Sequence, residues 1–225
     1  MTKKLLLMLC LTMATVGCLA MPDGDENKVV KGRFHAIVYL KNGETPEGYL
    51  QNQFYVNMPT ISRCYHMPSA ADSVMRLKVN NKLFEKSMKF RNQDIDSMIT
   101  WYDDDPEVRL KWEPEFADFA FGNQEPNLDA YPSMLLVVFK GSHVKGYLSL
   151  YPGYGFKYLF KTSDMPYAKA FLVPDQKFSE RRRKTLLKTF SMYPEMEEFI
   201  KSLTKDDIKE DPFCILKKLD TTIHR

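Results

Sequence analysis

Several short stretches hold residue types that can attack, move protons, hold a metal or stack on a ligand. Cys64-Tyr65-His66 sets a thiol and an imidazole two residues apart, on one face of any strand. A Cys–His nucleophile also needs an orienting group and oxyanion donors, and none is declared nearby, so the pair reads as coincidence. Asp103-Asp104-Asp105 presents carboxylates to a hard cation. The spacing and closing Glu of a calcium loop are missing, and Asp before Pro106 is ordinary turn chemistry. His35, His143 and His224 have no ligand-like spacing, and no cysteine spacing resembles a zinc site. Arg181 to Lys184 is a basic run that sweeps around a helix at about 100° per residue. That makes it a solvated face first, and a contact for an anionic headgroup or glycan second. No GxSxG, HExxH or phosphate loop occurs, and no metal or cofactor is implied. A carboxylate pair leaves no local signature, so no enzyme class is excluded and the catalytic residues, if any, stay unplaced.

The best binding candidate is YLSLYPGYGFKYLF, residues 147–160. Leu148 and Leu150 share one face of the first strand, so Tyr147 and Tyr151 share the other. With the leucines buried, Tyr147 and Tyr151 project outward beside Lys145. There their amphipathic rings suit a sugar or a partner protein. Pairing with side chains of the next strand is the alternative. Past Pro152-Gly153, Tyr154, Phe156, Tyr158 and Phe160 form a second row, read as core because lysines stand opposite.

These residues need a sheet to position them. RFHAIVYL (Arg33 to Leu40) alternates, with Phe34, Ala36, Val38 and Leu40 on one face. Asn42-Gly43 supplies the turn after it. SVMRLKV (Ser73 to Val79) alternates too, and Asn80-Asn81 marks a turn. EVRLKW (Glu107 to Trp112) is a further strand. MLLVVFKG (Met134 to Gly141) is apolar throughout and suits a strand buried on both faces. VYLKNGETPEGYL and VVFKGSHVKGYL echo each other, with Gly43/Gly48 matching Gly141/Gly146. The spacing describes two ordinary hairpins of one sheet, each with a turn glycine and a bend glycine.

The tail changes period. FSERRRKTLLKTF (Phe178 to Phe190) is helical. In YPEMEEFIKSL, Met196, Phe199, Ile200 and Leu203 form an i, i+3, i+4, i+7 stripe behind Pro194. Thr204 with Asp207 resembles a capping box, Pro212 interrupts, and Ile208, Ile215, Leu216 and Leu219 continue the apolar side. The layout is α+β: a largely antiparallel sheet or partly open barrel packed by two or three C-terminal helices. Residues 28–175 form the β-rich domain and 176–225 the helical region.

The first hairpin resembles a stretch recurring in uncharacterised exported bacterial proteins, an apolar strand, Lys-Asn/Asp-Gly, then Gly-Tyr-Leu. The tail is similar to their C-terminal helices. The resemblance spans about a third of the chain and implies export and a β-then-α layout. It carries no catalytic residues.

Export is also written at the start. Lys3 and Lys4 precede an apolar run from Leu5 to about Ala14, too short for a bilayer span of ~20 residues. Residues 1–20 are a signal peptide and 21–27 a polar tether. Two processing readings stand. In the first, Ala14 to Cys18 is a permissive lipobox and Cys18 an outer-membrane lipid anchor; in the second, cleavage after Ala20 gives a soluble periplasmic or secreted protein. The lipoprotein reading ranks first. Removing residues 1–20, which hold two lysines and no acid, turns the net charge of +3 into +1. So balanced a chain offers nucleic acid no electrostatic footprint. Cys64 and Cys214 remain, as an intrachain disulfide or as two buried thiols. The expected role is a non-catalytic module binding an envelope protein or glycan, with membrane contact through the lipid anchor alone; the alternative is an envelope or glycan hydrolase. The first reading predicts an intact mass of residues 18–225 plus a diacylglyceryl group for the protein isolated from its host's envelope. A mass matching residues 21–225 would refute it.

Overall fold

The computed structural model describes residues 34–51, 54–58, 63–67, 72–81, 84–103, 105–122, 125–126, 128–151, 155–174 and 177–223. For 54–58, 63–67, 80–81, 84–85 and 150–151 the description is of backbone only. Cys18 and the rest of residues 1–33, with the expected signal peptide and tether, lie outside it.

Strands come first in the chain: β1 (Phe34–Leu40), β2 (Glu47–Leu50), β3 (Phe54–Met58), β4 (Arg63–Met67), β5 (Val74–Asn81), β6 (Phe84–Arg91) and β7 (Ile95–Tyr102). They continue with β8 (Asp105–Glu115), β9 (Ala117–Asp118), β10 (Ser133–Lys140), β11 (Val144–Tyr151), β12 (Gly155–Thr162) and β13 (Ala168–Leu172). Four helices follow, α1 (Glu180–Thr189), α2 (Met196–Ser202), α3 (Lys205–Glu210) and α4 (Cys214–Thr222). Eleven strands make one sheet, ordered β6-β5-β2-β1-β7-β8-β10-β11-β12-β13-β9, which does not close on itself. Its pairs are antiparallel except β13 with β9. The β3–β4 hairpin forms a separate two-stranded ribbon. The class is α+β.

Alternation sets the faces. Phe34, Ala36 and Val38 of β1 enter the main core, while Leu40 is only half-buried beyond a register shift at Tyr39. β10 is buried on both sides: Met134, Leu136 and Val138 join the main core, and Leu135 a smaller one on the outer face. Asn80 and Asn81 depart from expectation. They pair with Glu85 and Phe84 inside the β5–β6 ladder and are strand residues.

The helices build as the apolar stripes dictate. Met196, Ile200, Leu203, Ile208, Ile215, Leu216 and Leu219 are all buried in the main core. Thr204 and Asp207 form a complete capping box: the Asp207 amide donates to Thr204 Oγ1 at 3.2 Å, and the Thr204 amide to Asp207 Oδ2 at 2.7 Å. Pro212 falls between α3 and α4, where no helical amide is needed.

The two hairpins with matching glycines use them differently. Gly43 sits at φ +89°, where a side chain is strained, and the Asn42 carboxamide oxygen accepts from the Glu44 amide at 3.0 Å. Gly48 has no room for a Cβ, which would strike the Lys78 carbonyl of β5. Gly141 is not at positive φ; a Cβ there would strike the Asp220 carboxylate. Asp220, on α4, accepts from the amides of Ser142, His143 and Val144 at 3.0, 2.7 and 2.9 Å. A Cβ at Gly146 would come within 2.6 Å of Leu216 Cδ1, so α4 lies directly on β11.

Partial burial pushes the Asp220 pKa up, but the three amides, His143 foremost, outweigh it and hold the carboxyl below its usual range. A carboxylate depressed in the folded state stabilises fully above its unfolded pKa of about 4 and loses that stability as pH falls through the folded value. Asp220→Ala is therefore expected to cost about 2 kcal/mol near neutrality and to flatten the acid limb of the stability curve below about pH 4. Urea unfolding at several pH values reads both. An unchanged acid limb would mean that the Asp220 contact does not hold α4.

Candidate functional site

The outer face of the sheet gathers the side chains able to do chemistry, because successive residues of a strand alternate sides. On β8, Lys111, Glu113 and Glu115 point outward. Lys145 and Tyr147 of β11 join them across β10. Glu113 Oε1 accepts from Lys111 Nζ at 2.9 Å, and its Oε2 from Lys145 Nζ at 2.8 Å and the Tyr147 hydroxyl at 3.1 Å. The same hydroxyl lies 3.3 Å from Glu115 Oε1, whose other oxygen accepts from Lys161 Nζ at 2.6 Å.

Tyr147 is fully buried, which corrects the expectation that it projects outward. Its face is the right one, opposite Leu148, but that face carries a second core. Ala117, Leu135, Leu159, Ala168 and Ala170 share the core with it, and Phe119 and Phe121 pack against it. Tyr147 therefore offers a ligand no ring surface. Burial raises its pKa, and the Glu115 and Glu113 charges raise it further, so the phenol keeps its proton. Lys145 remains partly exposed but is committed to Glu113. Tyr151 pairs with Gly155 in the ladder, and its side chain lies outside the described residues.

Burial pushes Glu113 upward, yet Lys145 and Lys111 outweigh it and hold the carboxyl below its ordinary value. A glycosidase dyad requires one carboxyl kept protonated near neutrality, and Glu113 is driven the other way. Its oxygens are also occupied. Glu113 and Glu115 form an ion ladder with Lys111, Lys145, Lys161 and the Tyr147 hydroxyl.

The far end of the same face repeats the pattern. Asp118 is fully buried and pairs with Lys169 at 3.0 Å. Lys157 is buried too, donating to the Phe119 carbonyl at 2.6 Å with its ammonium 4.9 Å from the Phe121 ring centre. Burial lowers its pKa, opposed by Asp118. Of the second aromatic row, Tyr158 and Phe160 are in the core, Phe156 packs partly buried against it and Tyr154 lies outside the described residues; Lys157, on the opposite face, is covered from that side.

At the opposite end lies a stack that sequence spacing gave no hint of. His35 of β1 stands between Tyr49 of β2 and Trp101 of β7, ring centres 4.4 and 4.7 Å away. The Arg109 guanidinium covers Trp101 at 3.7 Å. Glu47 approaches one imidazole nitrogen at 3.6 Å and Asp103 the other at 3.7 Å. The two carboxylates flank opposite nitrogens, so they converge on no single ion, and no metal-holding cluster occurs among the described residues. The acidic triplet thus supplies Asp103 to an imidazole.

Cys214 opens α4 with a half-buried free thiol, pushed up to about 11 by burial and then by Asp211. Cys64 pairs with Asn57 in the β3–β4 ribbon, and its side chain and that of His66 lie outside the described residues. Compared with known proteins, the chain matches no family model, no curated protein and no solved structure.

Tyr147→Phe is expected to cost about 1 kcal/mol, the net value of a buried hydrogen bond. Glu113→Ala strips two lysines and the phenol of a partner. Because the lysine heads are nearly half exposed and rehydrate, the loss is about 2–3 kcal/mol rather than the larger cost of a sealed pair. Denaturant midpoints of the two variants give the ranking. A Glu113→Ala loss smaller than that of Tyr147→Phe would deny the ladder its structural role.

Proposed function

We propose that the chain is an exported envelope protein that acts as a non-catalytic binding module, contacting an envelope protein or glycan through the Arg109–Trp101–His35–Tyr49 stack. The observation that carries this reading is the 3.7 Å cation–ring contact at the end of an aromatic row crossing three strands. Trp, Tyr and Arg are the side chains that concentrate binding energy at interfaces. Exposed Glu47 and Asp103 rim the stack and can take hydroxyl or cationic donors. Lipid anchoring at Cys18 in the outer membrane belongs to this proposal, with a soluble periplasmic form as its alternative.

Curvature of the sheet is part of it. Eleven strands laid flat span about 50 Å, and the longest helix only about 15 Å. Yet Ala36, Met75 and Met98, on the half of the sheet away from the helices, are fully buried and share one core with Leu216. Those burials support a sheet that covers part of itself, as a partly open barrel does; Trp101 is 9% exposed beneath Arg109, and the accessible surface of the stack is Arg109 with half-buried His35 and Tyr49.

The hydrolase alternative would place its carboxylates at Glu113 and Glu115, and their lysine and phenol partners weigh against it. Titrating the full chain with soluble envelope glycan fragments and purified envelope proteins, followed by tryptophan emission, separates the two. The expected result is an emission change lost in Trp101→Phe, and affinity about tenfold weaker in Arg109→Ala and Tyr49→Ala. Full affinity in both variants would overturn the stack as the contact. Cleavage of the fragments that disappears in Glu113→Gln would establish the hydrolase.

A further inference from the structure

The basic run on α1 does not simply wrap the helix. Arg182 is half-buried, and Arg183 turns inward, 3.2 Å from Glu180, with its guanidinium 5.5 Å from the Phe178 ring and bonded to the Lys201 carbonyl. The cations left outside are Arg181, Lys184 and Lys188, spaced i, i+3, i+7 and all exposed. At 100° per residue they fall within an arc of about 60° and span about 10 Å of helix. Exposed Lys177 precedes Arg181 by four residues. None of the four has an ion pair among the described residues, whereas Lys111, Lys145, Lys161, Lys169, Lys201 and Lys217 all do. α1 holds five cations and one acid in ten residues of a chain whose whole net charge is +3.

A second feature follows this stripe in the chain, just past the end of α1. Met192, four residues beyond Lys188, is 74% exposed, the most exposed large apolar side chain among those described. An unpaired basic stripe ending in a free thioether suits a surface that is anionic at the headgroups and apolar just beneath them. A soluble polyanion would answer the charges and leave Met192 without a role.

We propose that α1 is a membrane-docking face: Lys177, Arg181, Lys184 and Lys188 lie on an anionic phospholipid surface and Met192 enters its interfacial layer. This contact is independent of the Trp101 stack and needs no lipid anchor. It adds a second membrane contact to any anchor at Cys18 and fixes which side of the protein faces the bilayer.

The test is sedimentation of the full chain with vesicles of pure phosphatidylcholine and with vesicles about one-third phosphatidylglycerol. An acyl anchor or an uncleaved signal binds both kinds, so the stripe is read from the ratio between them and from its dependence on α1. At roughly fivefold per cation, the ratio is expected to exceed a hundredfold at low salt, to fall to about fivefold in R181Q/K184Q/K188Q, which keeps Lys177, and to fall near unity in about 1 M salt, where screening reaches ~3 Å. Met192→Asn is expected to weaken binding to the anionic vesicles without altering retention on a soluble sulfated polysaccharide. Circular dichroism of both variants confirms that these exposed changes leave the fold intact, and single K188Q, expected at about one-fifth of wild-type binding, provides the same reading if the triple variant does not fold. A ratio near unity for the wild type, or one the glutamines leave unchanged, overturns the proposal. So does a Met192→Asn variant that binds vesicles as the wild type does while a soluble polyanion displaces both.

Discussion

Burial of β10 to β12 on both faces is the constraint from which much of the structure follows. A strand with one face in water can leave its lysines and acids unpaired. When both faces are covered, charged heads are held by partners inside the sheet. Glu113 therefore takes three donors from two strands, and the Tyr147 hydroxyl sits between two carboxylates. Lys157 turns to the Phe119 carbonyl, and Asp118 is held by Lys169. The short segment around Phe119 and Phe121 has a large effect for its size, because it converts a solvent-facing surface into a second core.

The two glycine hairpins show how one spacing can serve unlike ends. In the first, Gly43 supplies a left-handed turn and Gly48 lets β5 approach β2 backbone to backbone. In the second, the turn amides are held by a side chain seventy-six residues or more along the chain, and the glycines make space for α4. The first hairpin is a local device that joins strands; the second fixes the C-terminal helix on the sheet. Repetition in the sequence here reflects shared steric need rather than shared role.

Strand and helix types were legible where periodicity was clean. The β1 core face, the two-sided burial of β10, the capping box at Thr204 and the break at Pro212 all follow from residue pattern. What escaped was cross-strand. Read alone, EVRLKW ends at Trp112, short of Pro114, a residue uncommon inside central strands. β8 in fact runs through it to Glu115, with Pro114 opposite Met134. Glu113 and Glu115 were lost with that truncation, although their alternation with Lys111 is the mark of one strand face. His35, Tyr49, Trp101 and Arg109 are far apart in sequence, and only the register of β2, β1, β7 and β8 brings them together. Tyr147 was assigned to its proper face; no local signal says that residues 117–121 return to cover it.

Pairing also sorts the charges by use. A cation held by a carboxylate in a covered sheet has exchanged its hydration for a fixed partner, and moving it away leaves that partner exposed to the cost of burial. Lys145, Lys161 and Lys169 are of this kind, and they serve the fold. A cation on an exposed helix face keeps its water and gives up little when an anion arrives. The sheet's outer face is thus rich in charge yet paired through its middle, while Arg109 covers Trp101 without an acid of its own among the described ion pairs. On α1, by contrast, Arg181, Lys184 and Lys188 are exposed and have no ion pair among the described residues. Two surfaces follow from that division, one built of rings and one of unpaired cations, on structurally separate elements. A change on α1 can therefore alter where the protein sits without altering what the stack on the sheet recognises.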